Sequence, residues 1–275
     1  MPQTERELPE GVERIRAPNP GPFTLSGTNS YLFGSPAWVV DPGPDDPEHV
    51  DRVLAAASER GGVAGIVLTH RHLDHAGAVA AVCRRTGAPL AAGIDVAPEV
   101  PPAFQEPAAE GLEVDRELAD GDTVGPFQVI ATPGHSADHV SFLTEGVLFC
   151  GDTVLGEGSV FVPPDGGSLS RYLDSLERLR ALSLRALCPG HGPIVWKPDA
   201  KLTEYVEHRL DRERRLLAAL DRGLRDRDQL LDDAWSDAPA ALRAAAALTM
   251  EAHLEKLAAE GRLPDGLDPP PAARA

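Results

Sequence analysis

GIVLTHRHLDHAG, residues 65–77, joins two unlike textures. GIVLT is a short continuous apolar run, the pattern of a strand buried on both faces. It delivers the chain straight into HRHLDH, which places His70, His72, Asp74 and His75 within six positions. Taken alone, the stretch fits a metal site, a cluster of catalytic bases, or a solvated loop rich in histidine.

Three further loops follow apolar, strand-like runs and carry residues of the same types: PGHS around His135, CGDT around Asp152 and PGHG around His191. Five of the nine histidines lie in these four loops. One such loop would be ordinary, whereas four point to a site carried on loops of a rigid scaffold. Neutral imidazoles with a few carboxylates are the ligand mix of zinc, with manganese or iron as alternatives. His70, His72, Asp74, His75, His135, Asp152 and His191 are too many for one tetrahedral ion that keeps a water. They suit two metals about 3.5–4 Å apart that share a bridging carboxylate and a bridging hydroxide.

Working outward, residues 28–41 read as a hairpin, TNSYLF and AWVVD around a turn at GSP. A helix with Val50, Val53 and Leu54 on one face follows and stops at Gly-Gly. A second helix ends at Gly87, and APLAAG is a strand. Residues 95–117, rich in Pro and acid, show no period and are expected to be loop. TVGPFQVIAT reads as strands leading to His135, and SFLT-EG-VLFC as a hairpin turning at Glu145-Gly146. Leu169, Tyr172, Leu173, Leu176 and Leu179 recur at helical spacing, and RALC is a last strand. Strands alternate with helices over residues 20–196, so the main unit is of α/β type.

After Lys197-Pro198 the texture becomes helical. Residues 1–198 are expected to form the catalytic domain and 199–262 a small helical domain. Residues 263–275 are expected to be a disordered tail. Leu202, Tyr205, Val206, Leu210, Leu216, Leu217 and Leu220 form one apolar stripe of the appended helices. Cys83, Cys150 and Cys188 lack CxxC spacing and read as small hydrophobes rather than a disulfide framework. No apolar run is long enough for a membrane span, and the first residues lack the apolar core of a signal peptide, so the expected location is the cytoplasm.

The HxHxDH motif, followed by single His, Asp and His in GH, GD and GHG contexts, resembles the metallo-beta-lactamase superfamily over residues 20–196. The resemblance implies an αββα sandwich of two mixed sheets with two zinc ions at one edge. It assigns His70, His72 and His135 to the first metal and Asp74, His75 and His191 to the second, with Asp152 bridging. Flavin-linked diiron reductases of this fold replace the second motif histidine by an acidic residue. His72 is kept here, which favours hydrolysis over redox chemistry. PNPGPFTLSGTNSYLFG, GEGSVF and the helices after PGHGP resemble the beta-lactamase-like protein 2 family. Members of that family append a winged-helix-like domain, and one is regarded as an endoribonuclease acting on single-stranded RNA.

Asp41 of VVDPG is expected to orient a ligand from behind, and His139 to be a hydrogen-bonded structural residue. Thr28, Asn29, Tyr31 and His208 are candidates for contacting substrate, with hairpin-stabilising and plain surface roles as their alternatives. Asp74 is expected to anchor the second metal and steer the nucleophile's proton. The expected reaction is hydrolysis by a hydroxide held between the metals, first on phosphodiester bonds of single-stranded RNA. The alternative is a small thioester, ester or lactone, as in glyoxalase II-like relatives. The formal charge of −17 repels polyanions and favours that alternative. From Asp199 onward acidic residues outnumber basic ones, 16 to 12, which argues against sequence-specific DNA binding. HRLDRERR is locally basic and reads as a solvated helix face with pairs such as Asp211–Arg215. A homodimer is compatible with the sequence.

Overall fold

The computed structural model describes residues 7–94, 112–163, 168–268 and 270. Two sheets pack face to face. The first has the order β1 (Val12–Arg16), β2 (Asn29–Phe33), β3 (Ala37–Val40), β4 (Val63–Leu68), β5 (Leu90–Gly93), β6 (Arg116–Leu118). β1, β2 and β3 are antiparallel neighbours, and β3 to β6 are parallel. In the second sheet the order is β11 (Ala186–Pro189), β10 (Val147–Gly151), β9 (Val140–Thr144), β8 (Phe127–Ala131), β7 (Thr123–Val124).

Period-two alternation explains the layers. On β4, Val67 faces the second sheet, while Ile66 and Leu68 face α1 (Pro47–Glu59) and α3 (Val79–Thr86). On β10, Val147 and Phe149 face inward, while Leu148 and Cys150 face α4 (Leu169–Arg180) and the first half of α5 (Pro198–Asp221). The result is the expected αββα sandwich. Aromatic rings fill its centre: Phe149 lies 5.4 Å from Tyr31 and 5.6 Å from Phe127, centroid to centroid. Such pairs each add roughly 0.5–1.5 kcal/mol beyond area burial.

The appended segment holds α5, α6 (Arg227–Ala234), a 3-10 turn at Ala240–Leu242 and α7 (Arg243–Ala259) around Leu216, Leu230, Trp235, Met250 and Leu254. No strand lies in it among the described residues, so the wing of the expected winged-helix-like domain is not seen there. α5 spans both units: Leu202, Tyr205 and Val206 pack on the sandwich, and Leu216 and Leu220 on the helical cluster. The stripe read from the sequence also shifts, because Leu210 is exposed and Arg209 is buried in its place. Arg212 is buried too and pairs with Asp237, so the basic stretch is only in part a solvated face, although Arg215 does pair with Asp211 at 2.7 Å.

Two other expectations need correcting. The loop placed at 95–117 includes Arg116, which already belongs to β6, and its first part, to 111, lies outside the described residues. The tail expected to be disordered from 263 begins with Leu263 and Leu267 packed on the appended helices; its end, 271–275, is outside the described residues. No described helix is long and apolar enough to cross a membrane.

Candidate metal centre

β9 is antiparallel to both of its neighbours and β11 is parallel to β10, so β8, β10 and β11 run the same way. Their following loops, carrying His135, Asp152 and His191, therefore emerge at one edge. β4 delivers His70 and His72 to the same place, and the single-turn α2 (Leu73–Ala76) adds Asp74 and His75. The two motif glycines are steric requirements. A Cβ on Gly151 would lie 2.4 Å from Thr69 Oγ1, and one on Gly190 would lie 2.5 Å from Asp152 Oδ1.

The structure brings all seven expected ligands together. His72 Nδ1 lies 2.9 Å from His70 Nε2 and 3.1 Å from His135 Nε2. His191 Nε2 is 3.3 Å from His75 Nε2 and 3.2 Å from Asp74 Oδ2. Asp152 stands between the two groups, with Oδ1 3.5 Å from His75 Nε2 and Oδ2 3.3 Å from His191 Nε2 and 3.9 Å from His135 Nε2. Atoms bound to a tetrahedral zinc at 2.0–2.1 Å sit about 3.3–3.4 Å apart, a spacing that these distances, from 2.9 to 3.9 Å, bracket.

The tautomers support the same conclusion. Thr69 Oγ1 donates to Asp41 Oδ2 at 2.8 Å and so accepts from His70 Nδ1–H at 3.0 Å. His75 Nδ1–H donates to Asp41 Oδ2 at 2.9 Å, and His135 Nδ1–H donates to the Phe161 carbonyl at 2.8 Å. With Nδ1 protonated, the Nε2 atoms of His70 and His135 are bare lone pairs facing His72 Nδ1, which carries one proton at most. At least one pair of lone pairs is left opposed, and Asp152 Oδ1 is buried with no hydrogen-bond partner. Cations between these atoms would satisfy both, so the residues fit two divalent metals.

The electrostatics of the metal-free protein follow. Burial disfavours imidazolium at His75 and His191, but the carboxylates of Asp74 and Asp152 outweigh it, lifting the pKa of His75 to about 9 and of His191 to about 10. Burial also works against the carboxylates, and these two histidines overcome it, holding Asp74 and Asp152 below the usual range. His70, buried among other imidazoles, is pushed well below the ordinary histidine value.

Asp41 sits behind the site with φ 52, a left-handed conformation that Asp tolerates. It accepts from the Thr69 N–H at 2.8 Å as well as from Thr69 Oγ1 and His75. His139 is buried and stacked on His70; its Nε2 accepts the Asp152 N–H at 3.1 Å, and its Nδ1–H donates to Thr132 Oγ1. Thr28 Oγ1 donates to Asp74 Oδ2 at 3.1 Å.

The other three substrate-contact candidates are not among the ligand clusters. Asn29 is fully buried, and its amide nitrogen donates to the carbonyls of Pro189 and Gly192. Tyr31, also buried, donates to the same Pro189 carbonyl at 2.8 Å. Both brace the His191 loop. His208 is exposed on α5 in a groove with Asp199, Glu207 and Asp211, and is not among the ligand clusters. Sequence reasoning missed Thr69, Phe161 and Arg209. Of these, Arg209 alone left a signal, as a cation lying on the apolar stripe of α5.

The chain belongs to the metallo-beta-lactamase superfamily, whose family model matches residues 23–191. Members of the superfamily are metal-dependent hydrolases. The chain is 34% identical to a beta-lactamase-like protein 2 homolog of Drosophila melanogaster, over 93% of this chain and 90% of that one. It is 33% identical to the atrochrysone carboxyl ACP thioesterase of Aspergillus fumigatus, over 76% of this chain and 64% of that one. Among solved structures, it resembles a metallo-beta-lactamase family protein from Thermus thermophilus, with TM-score 0.70, 26% identity and 91% and 94% of the two chains covered.

Proposed function

We propose that this protein is a dinuclear hydrolase, with zinc as its metal, that cleaves the thioester or ester of an apolar acyl group. The observation that carries this reading is the rim of the metal centre. Phe23 is 56% exposed and packs 5.9 Å from Phe161, whose carbonyl holds His135. Leu73, next to Asp74, is 43% exposed. An apolar rim on a chain of net charge −17 suits a neutral acyl chain better than a polyanion. The similarity to a fungal thioesterase supports the same preference.

Metals bound there would supply a water of lowered pKa and polarise the bond under attack. The chain's own residues do the rest. Asp41 and the Phe161 carbonyl fix the ring angles of His75 and His135, and the Asp152 carboxylate would serve both metals. Asp74, held by Thr28, His75 and His191, would be a ligand of the second metal and would take the proton of the attacking water and pass it to the leaving sulfur. Water adds to the acyl carbon, the carbon–sulfur bond breaks, and the thiol leaves with a proton.

Cleavage of single-stranded RNA is the second reading. It is favoured by the match to the beta-lactamase-like protein 2 homolog, which covers 93% of this chain against 76% for the thioesterase match. The test is a screen of zinc-loaded protein against an acyl thioester, single-stranded RNA, a phosphodiester dye ester and a β-lactam, with Asp152→Ala as control. Thioester turnover that the control lacks is expected; RNA cleavage without thioester turnover would overturn the preference.

A further inference from the structure

The loop leading away from Asp152 is held from behind by the appended helix α5. The Tyr205 hydroxyl accepts the Leu155 N–H at 3.1 Å and donates to the Gly158 carbonyl at 2.9 Å. One turn further along, Arg209 Nη2 donates to the Val160 carbonyl. The Arg209 guanidinium also lies 5.5 Å from the centre of the Tyr172 ring, and the Tyr172 hydroxyl donates to the Thr153 carbonyl at 2.7 Å. The residue after Val160 is Phe161, whose carbonyl takes the Nδ1–H of His135 at 2.8 Å. An unbroken line of hydrogen bonds and covalent bonds thus runs from α5 to an imidazole of the first metal cluster.

Arg209 is an expensive way to fill this position. It is 2% exposed, and no carboxylate pairs with it among the described residues, so its charge rests on a carbonyl and a ring face. Burying a cation in this way costs several kcal/mol before its contacts are counted. A leucine would continue the stripe of Leu202, Tyr205 and Val206 without that cost. Packing therefore does not account for the arginine, whereas a directed hydrogen bond to the 153–162 loop does.

We propose that Arg209, seconded by Tyr205, is a positioning residue for the first metal cluster, His70, His72 and His135. It holds the Phe161 carbonyl on His135 Nδ1 and so fixes that ring's tautomer and angle, which makes the appended helices part of the metal centre. The second cluster is supported by Asp41 on His75 and Thr28 on Asp74, and Arg209 makes no hydrogen bond to either among the described residues. The proposal rests on the two-metal reading, and metal binding separates the two claims. If the wild type binds no metal, that reading fails; if it binds two and the variants do not distinguish them, only this proposal fails.

The test is zinc competition with a chromophoric chelator on the full chain, resolving two binding steps, with His135→Ala identifying the first-cluster step. Arg209→Met keeps the length and removes the donors. It is expected to weaken the first-cluster step about tenfold, the scale for losing a partner behind a ligand, and to leave the other step unchanged. The His135 Nδ1–H proton resonance of the zinc-loaded protein should shift or broaden, and Arg209→Lys should restore part of the affinity. Should Arg209→Met fail to fold, Tyr205→Phe decides, with a smaller loss confined to the same step. Equal weakening of both steps, or no weakening in a folded variant, would overturn the proposal, because a merely structural arginine lowers stability without choosing between metals.

Discussion

Replacing Asp41 by Asn removes a charge and keeps nearly every atom in place. Asp41 is 2% exposed and accepts three hydrogen bonds: Oδ1 from the Thr69 N–H, and Oδ2 from Thr69 Oγ1 and His75 Nδ1. An asparagine has one acceptor end. With its amide nitrogen at the Oδ1 position it faces a backbone N–H that has nowhere to turn; at the Oδ2 position it faces the His75 proton. At least one buried bond to a carboxylate is lost, a change of about 1.5–3 kcal/mol. Asn also tolerates φ 52, so the backbone at this turn is not further strained. The loss should appear as weaker binding at the Asp74, His75 and His191 cluster, by about 10- to 100-fold. Two-step chelator competition reads it, with His191→Ala marking which step belongs to that cluster. Unchanged affinity at that step in a folded Asp41→Asn protein would refute the claim that Asp41 orients His75 for a metal.

Other perturbations separate ligands from scaffolding. Asp152→Ala should lower the affinity of both binding steps and cost more activity than His135→Ala, whose loss should be confined to one step; equal losses would count against a bridging carboxylate. Asn29→Ala leaves the Gly192 carbonyl without its buried donor and the Pro189 carbonyl with Tyr31 alone, so stability should fall by about 1–3 kcal/mol, read by chemical denaturation. KM should stay unchanged, and a raised KM at full stability would restore Asn29 as a substrate contact. In the metal-free protein, His75 and His191 titrate near 9 and 10 against an ordinary value of 6.5. The stability they contribute is complete below pH 6.5 and is lost as pH rises through 9 and 10. The metal-free melting temperature should therefore fall over that range, with a flatter slope once metal occupies the neutral rings; a metal-free protein that gains stability there would contradict the assignment.

The ligands were legible because each follows a strand that announces itself by an apolar run, and strand direction then brings the loops to one edge. Layer order was less legible. β6 is only three residues, Arg116–Leu118, too short for a period to show. The parts that orient the ligands were mostly hidden, since a carbonyl such as that of Phe161 has no residue-type signature. The sequence left Asn29 open between substrate contact and a structural role, because an amide beside a metal motif has the same letter whether it faces substrate or ties two carbonyls of a neighbouring loop, the bonds it makes here. The α5 stripe was misread at one step. Hydropathy favoured Leu210 for the buried face, but a cation can be buried where a carbonyl and a ring receive it, so Arg209 takes that place.

The central claim is that two metals share one carboxylate. Anomalous diffraction from crystals of the zinc-loaded protein tests it most directly. The account predicts two peaks about 3.5–4 Å apart, one among His70, His72 and His135, the other among Asp74, His75 and His191, with Asp152 touching both. A single peak, or ions bound away from these seven side chains, would contradict it.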